Sequence, residues 1–137
     1  SPDGDGAFTA MDAALQRGRL RPSEVGWVNA HGTATENNDL SEGRALLRLF
    51  GADLPPFSST KAATGHTMGA AGAVEAVISV LALERGMIFP NLNFSTPMKE
   101  TGLTPVTAPR IAPDLDHVLS NSFGFGGDCS ALLFSRA

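Results

Sequence analysis

The stretch Val25-Gly26-Trp27-Val28-Asn29-Ala30 leads into a polar segment at 31–39 and then into residues 40–50, whose apolar positions recur with helical spacing. A short apolar run of this kind predicts a buried strand, and the spacing after it predicts a helix that ends near Gly51. A strand that passes through a loop into a helix is the repeating unit of α/β folds. This stretch therefore indicates the fold class.

The rest of the chain continues the alternation. We predict helices at 7–17 and 67–85 and strands near 57–59, 117–122 and 129–135. A short glycine-rich connection joins the last two strands, which favours an antiparallel pair. Prolines and glycine make residues 87–113 an irregular excursion. The order predicts one α/β domain in which a mixed sheet is layered between helices.

Composition excludes several classes of protein. The chain has 137 residues, 42% of them hydrophobic and 18% charged, which suits one folded domain. The net charge is -4 and the basic residues are scattered, so we expect no nucleic-acid partner. The opening residues 1–6 lack the basic and apolar regions of a signal peptide. The single cysteine, Cys129, allows no intrachain disulfide, which suits the reducing cytoplasm.

The longest apolar stretch, 67–83, carries Glu75 at its centre and is shorter than the roughly 20 residues of a membrane span. We interpret it as a buried helix and expect no membrane span. A buried carboxylate must be paired, hydrogen-bonded or protonated. Lys61, on the loop that leads into this helix, is the candidate partner. Such a pair could be purely structural or could belong to a functional cluster, and the pattern favours neither.

Two histidines each follow a predicted strand. His31 stands in Asn29-Ala30-His31-Gly32-Thr33-Ala34-Thr35, and His66 closes the motif at 58–66. Sites in open α/β sheets form at the carboxyl ends of strands. By itself, His31 is better explained as a loop residue satisfied by backbone groups. His66 could equally be a helix-start residue without a chemical role.

If His66 begins the helix at 67–85, the helix N-terminus disfavours an imidazolium and keeps the ring neutral. A neutral imidazole can donate one hydrogen bond to a developing oxyanion. A metal site would need a third ligand beside His31 and His66, and no motif offers one. We therefore predict no metal.

The segment Asn121-Ser122-Phe123-Gly124-Phe125-Gly126-Gly127 surrounds an aromatic residue with glycines. Glycines on both sides let the backbone take positive φ and move Phe125 as a unit, which suits a gate. A tight hairpin turn with two core phenylalanines is the alternative. The strand–loop–helix order of a phosphate-binding loop is missing here, so we expect no nucleotide.

Four motifs, at 29–35, 58–66, 69–76 and 121–127, stand in the order and spacing of one family. Together they resemble the C-terminal half of the beta-ketoacyl-ACP synthases, and the opening residues 1–6 resemble the start of that half. The resemblance covers essentially the whole chain. It implies a thiolase-like fold made of two similar βαβαβαββ halves. Residues 1–137 would be the C-terminal half-domain, and the N-terminal half with its nucleophilic cysteine is absent from this chain.

The resemblance also implies a reaction, the decarboxylative Claisen condensation of malonyl-ACP with an acyl-enzyme in fatty acid or polyketide biosynthesis. His31 and His66 would be the two catalytic histidines and would hold the malonyl thioester carbonyl. Lys61 would share in catalysis, with Glu75 behind it, and the two would orient His66.

Further matches concern access to the site. Thr33 and Thr35 match residues that bind the phosphopantetheine arm, and Phe125 matches the gating phenylalanine, with Phe123 beside it. The carrier protein delivers the arm, so no cofactor of the chain's own is expected. After the double glycine the family usually has Thr-Asn, and here Asp128-Cys129 stands instead. Cys129 enters a strand rather than an elbow, so we expect a small buried residue and not the nucleophile.

The expected partners are the N-terminal half of the same synthase, an acyl carrier protein, and a second subunit in a homodimer or heterodimer. An alternative is a non-catalytic, chain-length-factor-like subunit of a ketosynthase heterodimer. Such partners often lose the histidines and the lysine, so His31, His66 and Lys61 favour the enzyme.

Overall fold

The computed structural model describes residues 2–137. The helices and strands are, in chain order, α1 (Asp5–Gly18), β1 (Trp27–Asn29), α2 (Glu36–Phe50), β2 (Phe57–Ser58), α3 (Lys61–Thr64), α4 (Ala71–Arg85), β3 (Met87–Ile88), β4 (Arg110–Ile111), β5 (His117–Phe123) and β6 (Cys129–Ser135). Short 3₁₀ turns occur at Pro22–Glu24, Gly51–Asp53 and Met68–Ala70.

The main sheet is mixed and has the strand order β2-β1-β5-β6. β1 runs parallel to both β2 and β5, whereas β6 is antiparallel to β5. Val28 pairs with Phe57 and Asn29 with Ser58, so β1 and β2 end side by side. The loops that follow these two strands therefore leave the sheet at the same edge, where α/β proteins place their sites.

Helices cover both faces of the sheet. One core cluster joins α1 and α2 to the sheet through Met11, Leu46 and Leu119. The other joins α4 to the opposite face through Trp27 and Val118. Both clusters pack apolar helix faces on a buried sheet. The predicted α/β class, with a mixed sheet layered between helices, is confirmed.

Several predicted boundaries are wrong. The long helix begins at Ala71 and not at residue 67, because the preceding residues form α3 and a separate 3₁₀ turn. α2 begins at Glu36, four residues before its first apolar position, because polar residues can fill the exposed first turn. The excursion at 87–113 contains the antiparallel pair β3–β4.

Of the βαβαβαββ pattern, residues 2–137 supply αβαβαββ, with α3 and α4 in one connection. The first strand of that pattern does not occur among residues 2–137. The helix stops at Gly51 and Gly86 are confirmed, since each residue has positive φ just after the helix end. None of the helices in residues 2–137 is long and apolar enough to cross a membrane.

Candidate active site

His31 lies in the loop after β1 and is almost fully buried, with 5% of its surface exposed. Nζ of Lys61 lies 3.3 Å from its ring atom Nδ1. An ammonium group can only donate hydrogen bonds, so Nδ1 accepts and the neutral ring carries its proton on Nε2. The pKa of His31 is lowered to about 4, mainly by burial and in addition by electrostatic interaction with Lys61 and His66. His31 is therefore neutral at pH 7.

Lys61 also forms an ion pair with Glu75, which confirms the predicted partnership. Both side chains are buried. Oε2 of Glu75 accepts a hydrogen bond of 3.3 Å from the hydroxyl of Ser122 in β5. Because Nζ of Lys61 contacts both Glu75 and His31, Glu75 holds Lys61 near His31. The pair was expected to orient His66, and the structure places Lys61 in contact with His31.

His66 lies between α3 and the 3₁₀ turn Met68–Ala70, five residues before α4. The expectation that His66 begins the long helix is therefore wrong. The expected effect of a helix N-terminus on the ring does not apply to His66. The backbone N–H of Met68 donates to Nδ1 of His66 at 3.3 Å. A neutral His66 ring consequently also carries its proton on Nε2.

The two imidazole rings meet. Their centroids are 5.4 Å apart and their planes are nearly perpendicular, at 85°. His31 is buried, whereas His66 is exposed. In both rings Nδ1 accepts a hydrogen bond, so Nε2–H remains as a donor in each. The arrangement offers two adjacent N–H donors, which is the chemistry of an oxyanion hole.

A cleft of about 820 Å³ opens beside the ring of His66. Gly32, Thr33, Lys61 and His66 line one side, and the segment 91–105 contributes to the other. The Oγ1 atoms of Thr33 and Thr35 lie 3.0 Å apart. Thr33 faces the cleft, whereas Thr35 stands just before α2 and is exposed.

The two candidate gate residues are placed differently. The ring of Phe123 lies 5.7 Å from that of His31. Phe125 is fully exposed at the tip of the β5–β6 connection. Gly126 and Gly127 take φ values of 90° and 94° there, and the N–H of Gly124 closes the turn by bonding the carbonyl of Asp128 at 2.7 Å. The structure thus brings Phe123 to His31 and leaves Phe125 in solvent.

Cys129 begins β6 opposite Phe123 and is half-buried. Burial raises the pKa of its thiol, which disfavours the thiolate form that a nucleophile needs. Among residues 2–137, no group of three or more His, Cys, Asp or Glu side chains is arranged to hold a metal ion.

Glu42 of α2, which was not predicted as a site residue, lies under the His31 loop. Its carboxylate accepts hydrogen bonds of 2.9 Å from the backbone N–H groups of both His31 and Gly32. The sequence contained one indication that Glu42 is unusual. Glu42 stands four residues before the buried Leu46, so a carboxylate occupies the apolar face of an amphipathic helix. Asn121, which belongs to the motif at 121–127 but was given no role, also donates a hydrogen bond to Glu42 at 3.0 Å.

The fold is thiolase-like, as in solved ketosynthase structures, and comparison with known proteins identifies the family. Residues 1–95 match the family model described as beta-ketoacyl synthase, C-terminal domain. The chain belongs to the beta-ketoacyl synthase family.

Curated relatives include the 3-oxoacyl-[acyl-carrier-protein] synthase 2 of Vibrio harveyi, which is 40% identical over 141 residues. The enzyme of the same name from Staphylococcus aureus is 40% identical over 140 residues. Each alignment covers 99% of this chain but 34% and 33% of the relative. The chain thus spans about a third of the length of these relatives.

Solved structures share the fold over nearly all of the chain. A beta-ketoacyl synthase from Burkholderia phymatum STM815 superposes with a TM-score of 0.91 and 36% identity, covering 99% of this chain and 33% of that one. A type II polyketide ketosynthase, AntDE, bound to its acyl-carrier protein AntF superposes with a TM-score of 0.93 and 30% identity, covering 100% and 34%. The Xenorhabdus doucetiae ketosynthase in complex with its chain length factor gives 0.84 and 36%, covering 100% and 35%.

Proposed function

We propose that this chain is the C-terminal part of a 3-oxoacyl-ACP synthase, which condenses malonyl-ACP with an acyl-enzyme in fatty acid or polyketide biosynthesis. The observation that carries the proposal is the pair of adjacent rings, His31 and His66, whose Nδ1 atoms both accept hydrogen bonds. Two adjacent Nε2–H donors, of which His66 lines the cleft, suit a thioester oxygen that gains negative charge.

In the proposed reaction, the bond between the malonyl α-carbon and its carboxylate breaks and carbon dioxide leaves. The electron pair passes into the enolate of the thioester, whose oxygen accepts hydrogen bonds from His31 and His66. The enolate α-carbon then attacks the acyl thioester on the cysteine of the N-terminal half. A carbon–carbon bond forms, the carbon–sulfur bond breaks, and the cysteine leaves as a thiolate.

Other residues would support this step. Lys61 keeps the proton of His31 on Nε2, and Glu75 keeps Lys61 in place. Thr33 and Thr35 would bond the phosphopantetheine arm that the carrier protein brings. Phe123 and Phe125 would guard the entrance, and Phe123 is the one beside His31.

The proposed partners are the N-terminal half of the synthase, an acyl carrier protein and a second subunit. Relatives of this chain occur in complexes with a carrier protein and with a chain length factor. We place the enzyme in the cytoplasm, where a chain with one unpaired cysteine stays reduced.

A chain-length-factor-like subunit is the second candidate, supported by the ketosynthase–chain length factor complexes among the similar structures. Retention of His31, His66 and Lys61 in one contact network favours the enzyme.

The test gives acyl-ACP and malonyl-ACP to the whole synthase and to the isolated chain, and follows 3-oxoacyl-ACP. We expect product from the whole synthase only. A whole protein that forms product solely after a separate active synthase is added would establish the subunit role instead.

A further inference from the structure

Glu42 is a buried carboxylate to which the proposed reaction assigns no chemical step. It is 4% exposed. Oε1 accepts from the backbone N–H of His31 at 2.9 Å and from Nδ2 of Asn121 at 3.0 Å. Oε2 accepts from the backbone N–H of Gly32 at 2.9 Å and from Nδ2 of Asn38 at 3.4 Å. The carboxylate therefore binds three separate parts of the site, namely the His31 loop, β5 and its own helix.

The backbone at Gly32 is shaped for this contact. Its φ of 44° is left-handed, which favours glycine. A Cβ atom at this position would lie 2.4 Å from Cβ of Ser59. The turn aims two successive N–H groups at one carboxylate, and only glycine fits the space beside Ser59.

All four partners of Glu42 are N–H donors, so the group between them must be an acceptor on both oxygens. An ionised carboxylate meets this requirement. A glutamine side chain has nearly the same shape but would direct its own N–H₂ group at one of these donors. The four donors thus favour the ionised carboxylate of Glu42, although burial alone disfavours a charge.

We propose that Glu42 is a positioning residue for the condensation, which fixes the His31 backbone so that Nε2–H points at the thioester oxygen. His31 is then held at two places, its backbone by Glu42 and its ring by Lys61. The same carboxylate bonds Asn121, two residues before Phe123, and so sets the position of His31 relative to that ring. The inference rests on the proposed function.

The test uses the whole synthase with Glu42→Gln, and Glu84→Gln as a matched control. Glu84 is an exposed carboxylate on α4, away from the histidines. Decarboxylation of malonyl-ACP and acylation of the cysteine are followed separately. We expect Glu42→Gln to lower kcat for decarboxylation about 100-fold, as a displacement near 1 Å does. Acylation of the cysteine should change little, because the proposed role of His31 lies in the decarboxylation step.

The outcomes separate the two proposals. A wild-type synthase that does not decarboxylate malonyl-ACP refutes the proposed function itself. If the wild type is active and Glu42→Gln matches Glu84→Gln, the positioning role is refuted while the function stands. A merely structural role would instead reduce decarboxylation and acylation equally, and this result also overturns the proposal.

A measurement on the wild-type synthase covers the case in which Glu42→Gln does not fold. Hydrogen exchange at the amides of His31 and Gly32 should be as slow as in β1 (Trp27–Asn29), because a buried carboxylate accepts both protons. Exchange as fast as at the exposed Ala34 and Thr35 would show that Glu42 does not hold the loop.

Discussion

Lys61 and His31, 30 positions apart in the chain, meet through Nζ and Nδ1 at 3.3 Å. The contact decides which ring nitrogen of His31 carries the proton. It also ties the protonation state of the histidine to a buried ion pair, because the same ammonium is bonded to Glu75.

Lys61 and Glu75 should be energetically coupled. Lys61→Met or Glu75→Leu leaves the other charge buried without its partner and should cost about 3–5 kcal/mol of unfolding free energy. The double variant removes both charges and should recover part of this loss without recovering activity. Chemical denaturation of the three variants gives the coupling energy. Strictly additive losses would contradict the pairing.

The two histidines and the cysteine should serve different steps of the reaction. In the whole synthase, His31→Ala or His66→Ala removes one donor to the enolate oxygen and should slow decarboxylation about 100- to 1000-fold. Acylation of the cysteine should persist, because the two donors are assigned to the enolate oxygen of the malonyl thioester and not to the transfer of the acyl group. Single-turnover acylation and carbon dioxide release are measured in parallel. A variant that releases carbon dioxide at the wild-type rate would remove that histidine from the proposed mechanism.

Stability should depend on pH through His31. Its folded pKa of about 4 lies below the usual 6.5, so between these values the unfolded chain binds more protons than the folded one. The contribution of His31 to the unfolding free energy has its full value above pH 6.5 and decreases as the pH drops toward 4. Because Glu42, Lys61 and His66 also face His31, the measurement compares wild type with His31→Gln across this range. The difference between the two curves should decrease toward low pH, and a constant difference would contradict the assignment.

The two phenylalanines should differ in their contribution to stability. Phe125 is fully exposed, so Phe125→Ala should change the unfolding free energy by less than about 0.5 kcal/mol. Phe123 packs on His31 and on the core cluster of α1 and α2, so Phe123→Ala should cost about 1–2 kcal/mol. Thermal unfolding of both variants is the measurement. Equal losses would show that Phe125 is packed in solution.

The isolated chain should self-associate through α4. Val77 and Val80 are 61% and 49% exposed on the helix face turned away from the sheet. Exposed apolar surface of this kind favours association. Val77→Lys with Val80→Lys should increase the monomer fraction in sizing and light scattering, whereas Thr9→Lys on the exposed side of α1 should not. A monodisperse wild-type monomer would refute this expectation.

The sequence by itself determined the order of the main elements and the class of fold, because hydrophobic periodicity reports which side of an element is buried. It also identified the Lys61–Glu75 pair, since a lone carboxylate in an apolar helix requires a partner and Lys61 is close in the chain. Both histidines were found because they follow apolar runs that read as strands.

Only the tertiary structure decided which groups touch. The pairing of Asn29 with Ser58 places the ends of β1 and β2 together, and this brings Lys61 to His31 rather than to His66. Burial of Glu42 under the His31 loop depends in the same way on how α2 packs against the sheet. Periodicity describes one element at a time, whereas these contacts join residues of different elements. Strand register and helix packing determine such contacts, and the hydrophobic pattern of a single element predicts neither.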